Sequence, residues 1–274
     1  MGTTGMTDGH GGVQSVRRAL SVLEAVAVAT QDRDDTGIVS ISRRCSLPVS
    51  TTHRLLATLI DAGFATQDPD SGQYRVGLHA FEVGNAFLDH TDLRPVARPY
   101  LRDLAELTGE TVNLAIRDGH DAVYIDQMES VQILKMFARP GARAPLACTG
   151  VGKVLLSGLT PVAAERILTD QPLPQRTPRS VTEPAEMMRM LAAIRIDGHA
   201  LDDEEVELGV RCVAAPIVDH RGDVRAAISV SGPTLRISDG RIPELIRQVR
   251  GTAAAISAAL GRSERPARPA VASR

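Results

Sequence analysis

The chain has 274 residues, 43% of them hydrophobic and 23% charged, which excludes a disordered or fibrous protein and suits two globular domains. Its 31 basic and 33 acidic side chains leave a formal charge of −2, which excludes a uniformly cationic nucleic-acid coat but not a local basic face. No apolar run approaches the ~18 residues of a membrane span, the first twelve residues lack the pattern of a signal peptide, and Cys45, Cys148 and Cys212 form no C-x-x-C pair. These features predict a cytoplasmic protein with no membrane partner, no disulfide framework and no cysteine metal site.

In chain order, residues 1–12 and the Pro/Ala/Arg-rich tail 263–274 read as loose ends. Residues 13–77 form the first predicted unit. Val16, Leu20, Leu23 and Ala27 fall on one stripe of a first helix. A short helix follows around Ile38–Cys45, and then a helix in LPVSTTHRLLATLIDAGF, with Pro48 near its start, Ser50 or Thr51 as cap and Gly63 as stop. Two short alternating runs around Pro69-Asp70-Ser71-Gly72 predict a hairpin. Three helices and a hairpin in this order describe a winged helix-turn-helix.

Residues 78–92 read as a linker helix containing Phe81 and Phe87, and residues 93–262 as a second domain. There a helix ends at Gly109, strands TVNLAIR and AVYIDQM flank a turn at Asp118–Asp121, and LKMFAR is expected as a third strand. Helices are predicted at Val151–Ser157, Val162–Leu168 and Glu186–Ile196, with a four-proline loop at Asp170–Pro184. VRCVAAPIVD and VRAAISVSG then pair across His220-Arg221-Gly222, and a last helix runs from Ile242 to Leu260. Hairpins with helices at both ends predict an α+β fold with an antiparallel sheet.

On the third helix, Thr52, Leu55, Leu56 and Leu59 share one face, spaced i, i+3, i+4, i+7. Ser50, Arg54 and Ala57 point the opposite way, flanked by Thr51, His53 and Thr58. Small hydroxyls with one arginine and one histidine suit a major groove, where an arginine fork matches the O6 and N7 of guanine. Arg17, Arg18, Arg43, Arg44 and Arg75 lie where backbone phosphates would pass. Acidic residues nevertheless outnumber basic ones over the first ninety positions, so the order of elements carries this reading and bulk charge does not. A solvated helix face with scattered arginines is the blander alternative.

SVRRALSVLEAV, LPVSTTHRLLATLIDAGFATQD, LAELTGETVNLAIRDGHDAVYID, RPGARAPLACTGVGKVLLS, GHALDDEEVELGVRCVAAPIVD and AAISVSGPTLRI together resemble IclR-type bacterial transcription regulators from about Val13 to Leu260. Val218 before Asp219 and Ala147-Cys148 after Pro145-Leu146 depart from the usual pattern, and the second departure touches the expected ligand pocket. The resemblance implies a GAF-like effector domain and a homodimer or homotetramer bound to a double-stranded DNA operator. It also implies a repressor more readily than an activator, with no cofactor. Matching positions imply effector contacts from Met136, Gly150, Val151, Asp202, Cys212, Ile228, Ser229 and Ser231.

Strand alternation places Ser229 and Ser231 on one face and Ile228 and Val230 on the other. Two inward hydroxyls call for a partner, either a polar ligand or neighbouring backbone. Aromatic residues are scarce at 3%, which disfavours a stacking cage and favours a small carboxylate or oxo-acid; the resemblance implies small keto acids and aromatic acids as effectors. Enzymatic readings fare worse. TGVGKVLLS is half of a phosphate-binding loop with Val154 in place of the needed hydroxyl, no G-x-S-x-G is present, and the histidines lack metal spacing. The runner-up is a thiol oxidoreductase using Cys148 and Cys212.

Overall fold

A computed structural model describes residues 13–89, 93–135 and 139–263; within it, residues 85–89 and 262–263 are described by backbone alone. The expected loose ends, 1–12 and 263–274, lie outside the described residues except for Ser263, which is the last residue of a helix. The chain divides into two compact units, Met1–His90 and Thr91–Arg274.

The first unit runs α1 (Gln14–Asp32), α2 (Ile38–Arg44), α3 (Val49–Asp61), β1 (Ala65–Gln67), β2 (Tyr74–Val76) and α4 (Leu78–Asp89). Its core joins Val22, Val26 and Ala29 of α1 to Ile41, Leu56, Leu59, Ala65 and Tyr74. The buried stripe of α1 is therefore not the predicted one. Val16 and Leu20 are 56% and 54% exposed, because α1 carries two apolar stripes and the small core selects the one facing Ile41 and Leu56. The capping expectation is also corrected. Pro48 is the N-cap of α3 without a side-chain hydrogen bond, and its carbonyl accepts the N–H groups of Thr51 and Thr52, so Ser50 and Thr51 sit within the first turn. Gly63 does end the helix. At φ +75° it lets its own N–H reach Ile60 O and that of Phe64 reach Leu59 O, at 2.9 and 2.8 Å, which satisfies the last carbonyls. The hairpin tip is closed by Asp68, whose carboxylate accepts the N–H groups of Asp70 and Ser71.

The second unit contains α5 (Leu93–Thr108), β3 (Thr111–Asp118), β4 (Asp121–Met128), β5 (Arg143–Pro145), α6 (Gly150–Ser157), α7 (Pro161–Asp170), α8 (Pro184–Asp197), β6 (Ala200–Asp203), β7 (Val210–Val218), β8 (Val224–Pro233) and α9 (Ile242–Ser263). The strands form one sheet in the order β5-β4-β3-β8-β7-β6, antiparallel at every pairing. Of the expected third strand in LKMFAR, Leu134, Lys135 and Arg139 belong to no strand and residues 136–138 lie outside the described residues; β5 lies farther on. Strand β6, unforeseen, forms the opposite edge.

The two faces of the sheet differ in residue size. Against α5 and α9 the strands present Val112, Leu114, Val213, Ile217, Ile228 and Val230. Against α6, α7 and α8 they present Ala115, Ala122, Ala200, Ala214 and Ala227. Alanines leave room for a helix to lie close, and α6 does so. A Cβ on Gly150 would stand 3.0 Å from Cys212 Sγ, and one on Gly152 2.3 Å from Leu146 O.

Candidate effector pocket and nucleic-acid interface

In the first unit, Ser50, His53, Arg54, Ala57 and Thr58 are exposed on α3 and Thr51 is half-buried, while Thr52, Leu56 and Leu59 pack inward. Thr51, His53, Arg54 and Thr58 share an open groove with Arg18 of α1. The turn from α2 to α3 is held by Leu47 N–H donating to Ser42 O at 3.0 Å, with Ser46 at φ +52°. The remaining predicted cations divide into two groups. Arg44 is ion-paired with Asp34, and Arg75 with Asp68 at 3.2 Å. Arg17, Arg18, Arg43 and Arg54 are exposed and join no ion pair among the described residues.

In the second unit, the α6 face turns polar at one end. Asp202 of β6 pairs with Cys212 of β7, Cys212 with Ser231 of β8, and Ser231 with Thr111 of β3. On the next rung Ala214 pairs with Ser229, Ser229 with Asn113, and Asn113 with Gln127 of β4. All of these but Gln127 are buried. Asn113 Nδ2 donates to the hydroxyls of Ser229 and Ser231 at 3.3 and 3.4 Å, and Gln127 Nε2 donates to Asn113 Oδ1 at 2.9 Å. The two serines thus find side-chain partners rather than backbone ones, with long bonds that leave the hydroxyls capacity for more. The Cys212 thiol lies beside them, and the two hydroxyls favour its thiolate against the larger effect of burial.

Helix α6 enters over this end. Thr149 caps it by accepting Gly152 N–H at 3.0 Å, leaving the amides of Gly150 and Val151 among the first-turn donors that have no partner within the helix. One turn on, Lys153 is wholly buried. Its ammonium donates to Leu201 O at 2.6 Å and is ion-paired with Glu205. Asp202 Oδ1 accepts Glu205 N–H at 2.8 Å.

Burial dominates the electrostatics here. It pushes the Asp202 carboxyl up to about 7, against the opposing pull of the Glu205 N–H and Lys153. It pushes the thiols of Cys148 and Cys212 up to about 11, with Asp202 adding to both shifts, and it raises Tyr124 as well. Both thiols are therefore protonated near neutrality, the opposite of what a redox or nucleophilic cysteine needs. Among the described residues no histidine, cysteine and carboxylate cluster could hold a metal, and no helix is long and apolar enough to cross a membrane.

Of the predicted effector residues, Gly150, Val151, Asp202, Cys212, Ser229 and Ser231 come together beneath the start of α6. Ile228 does not. It lies in the core between the sheet and α5 and α9, as strand alternation from Ser229 requires. Met136 lies outside the described residues. Sequence reasoning missed Asn113, Gln127, Tyr124, Lys153 and Glu205. Lys153 was weighed only as part of a defective phosphate loop, and the pairing of Asn113 with Ser229 depends on a strand contact 116 residues apart.

Residues 15–69 match the family model "IclR helix-turn-helix domain" and residues 85–258 match "Bacterial transcriptional regulator IclR C-terminal". The chain belongs to the IclR family of bacterial transcriptional regulators. It is 40% identical over 232 residues to the HTH-type transcriptional regulator BhcR of Paracoccus denitrificans, covering 85% of this chain and 82% of that one. It is 39% identical over 253 residues to the acetate operon repressor of Salmonella typhimurium, covering 92% and 91%. Among solved structures, an IclR homolog from Microbacterium hydrocarbonoxydans complexed with 4-hydroxybenzoate superimposes with a TM-score of 0.80 at 27% identity, over 91% of this chain and 100% of that one. The IclR of Thermotoga maritima does so at 0.75 and 31%, over 90% and 98%. This IclR-family chain is accordingly a DNA-binding transcription regulator and not an enzyme.

Proposed function

We propose that this regulator is a repressor whose operator affinity is set by a small carboxylate or aromatic acid bound between the start of α6 and the polar end of the sheet. The observation that carries the reading is the buried polar row Asp202–Cys212–Ser231 with its neighbours Ser229 and Asn113, set under a helix whose glycine backbone comes to the sheet without side chains between. The acid's anionic end meets the Gly150 and Val151 amides, and its body lies over Cys212, Ser229 and Ser231. The 4-hydroxybenzoate held by the Microbacterium neighbour belongs to the same ligand class.

On DNA, Arg54, with Ser50, Thr51 and His53, reads bases, and Arg17, Arg18 and Arg43 meet phosphates. Arg44 and Arg75 do so only by giving up their acidic partners. One winged helix reads few base pairs, so the working form is a homodimer or homotetramer on paired half-sites. Val16, Leu20 and Phe81, exposed in the single chain, and the half-buried Leu23 are the surfaces assigned to that assembly, with Phe87, whose side chain lies outside the described residues. Light scattering of a monomer at micromolar concentration on DNA would remove this part.

The decisive experiment is the double variant Ser229→Ala/Ser231→Ala in a gel-shift assay with operator DNA. It should abolish the response to the acid that releases the wild type while leaving operator affinity without ligand nearly intact. A variant that keeps its full response overturns the pocket assignment.

A further inference from the structure

The buried cluster at the end of β6 is unbalanced. It holds two carboxylates, Asp202 and Glu205, and one ammonium, Lys153. That ammonium is already committed: it lies against Glu205 and donates to Leu201 O. Asp202, 4% exposed, accepts the backbone N–H of Glu205 and has no cation of its own. The titratable groups facing it from the other elements are Tyr124 on β4, Cys148 at the entry to α6, and Cys212 on β7. All three are neutral while protonated. Arg176, in the proline-rich loop, acts on Cys148. An anionic effector brought to the Gly150 amides would add a second negative charge beside Asp202 where water is excluded, which is unfavourable at any pH that leaves Asp202 ionised.

We infer that Asp202 binds the acid as its proton-bearing partner, so that each acidic effector enters together with one proton. This rests on the effector reading above and specifies how that site recognises its ligand. The balance is simple: the Asp202 carboxylate takes a proton from solvent and donates the resulting O–H to a carboxylate oxygen of the effector, and no covalent bond changes. The shift of Asp202 to about 7 places this uptake in the working range of a cell. The protein then responds to acid and acidity together. The same acid at the same concentration is bound more tightly as pH falls.

Two measurements on the full chain test this. In carbon-13 NMR of the ligand-free protein, one carboxyl should titrate between about pH 6 and 8 and be missing from Asp202→Asn; an Asp202 midpoint below about 5 overturns the inference. Calorimetry with benzoate, 4-hydroxybenzoate and pyruvate as probes, in buffers of different ionisation enthalpy, should show uptake of one proton above the midpoint. Affinity should fall about tenfold per pH unit there. Asp202→Asn, which mimics the protonated side chain, should bind with an affinity that does not depend on pH and without proton uptake. Binding by the wild type without proton uptake overturns this inference and leaves the effector reading standing. Failure of all three probes at every pH overturns both.

Discussion

The two units use polar side chains in opposite ways. On the outward face of α3 they stand in solvent, several without partners, and cost the fold nothing because water satisfies them. Beneath α6 they are buried, so each must be matched within the protein or by a ligand. The difference teaches where a substitution will be felt. Changes on α3 alter DNA binding and spare stability. Changes at the end of the sheet alter effector binding and stability together, because the same atoms hold the fold and meet the effector.

The hardest test of this contrast is Lys153→Met. It leaves the buried Glu205 carboxylate without its ammonium, and losing one member of a buried pair costs about 3–5 kcal/mol. Chemical denaturation should show that loss. Lys153→Met combined with Glu205→Gln should recover most of it, since the stranded charge is then gone. A single variant within 1 kcal/mol of wild type, by about the scale of a surface change, would show that this end of the sheet is wetter than its burial implies.

Next in size is the pH dependence of stability from Asp202. Its folded value, about 7, lies above the unfolded carboxylate value of about 3.9. The folded state therefore holds the proton more tightly, and the stability this supplies is full below about pH 4 and is lost as pH rises through about 7. Asp202→Asn should flatten that window and be the more stable protein at pH 8, by on the order of 2 kcal/mol. Thermal melts of both proteins from pH 4 to 8 check it, and parallel curves would contradict it.

Much of this was legible in the sequence, and the misses have physical reasons. Periodicity located α3 and its inward face, and Gly63 announced the turn that ends it. The six effector positions that converge were found by resemblance, and strand alternation alone separated Ile228 from Ser229. What periodicity could not decide was which of two apolar stripes on α1 is buried, since Val16–Leu20 and Val22–Val26 differ only in what the rest of the unit offers them. Nor could it reveal β6. Ala200–Asp203 has too few residues and too many charges to read as a strand, and it exists because β7 offers an edge. Lys153, Glu205 and Asn113 were hidden for the same reason: their meaning lies in partners distant in sequence.

Arg54→Ala carries the contrast to the other unit. Loss of a bidentate base contact costs about 1–3 kcal/mol of specific operator binding, while stability should stay within about 0.5 kcal/mol of wild type, as for other exposed positions. Equal loss on random DNA would reassign Arg54 from base to phosphate.

The smallest expected effect separates two neighbouring arginines. Arg43 and Arg44 are adjacent and both exposed, yet Arg44 lies against Asp34 and Arg43 joins no ion pair among the described residues. An arginine that neutralises a phosphate releases condensed counterions, so removing it lowers the salt slope of DNA binding by about one. Arg43→Ala should show that change. Arg44→Ala should show less, because its charge is already half-spent on an acidic partner. Asp34→Asn then becomes the sharper probe: it frees Arg44 and removes a negative charge from the same surface, so it should tighten binding at low salt and steepen the slope. Identical slopes for Arg43→Ala, Arg44→Ala and the wild type would mean that the end of α2 does not face the duplex, and that phosphate contact falls to Arg17, Arg18 and Arg75.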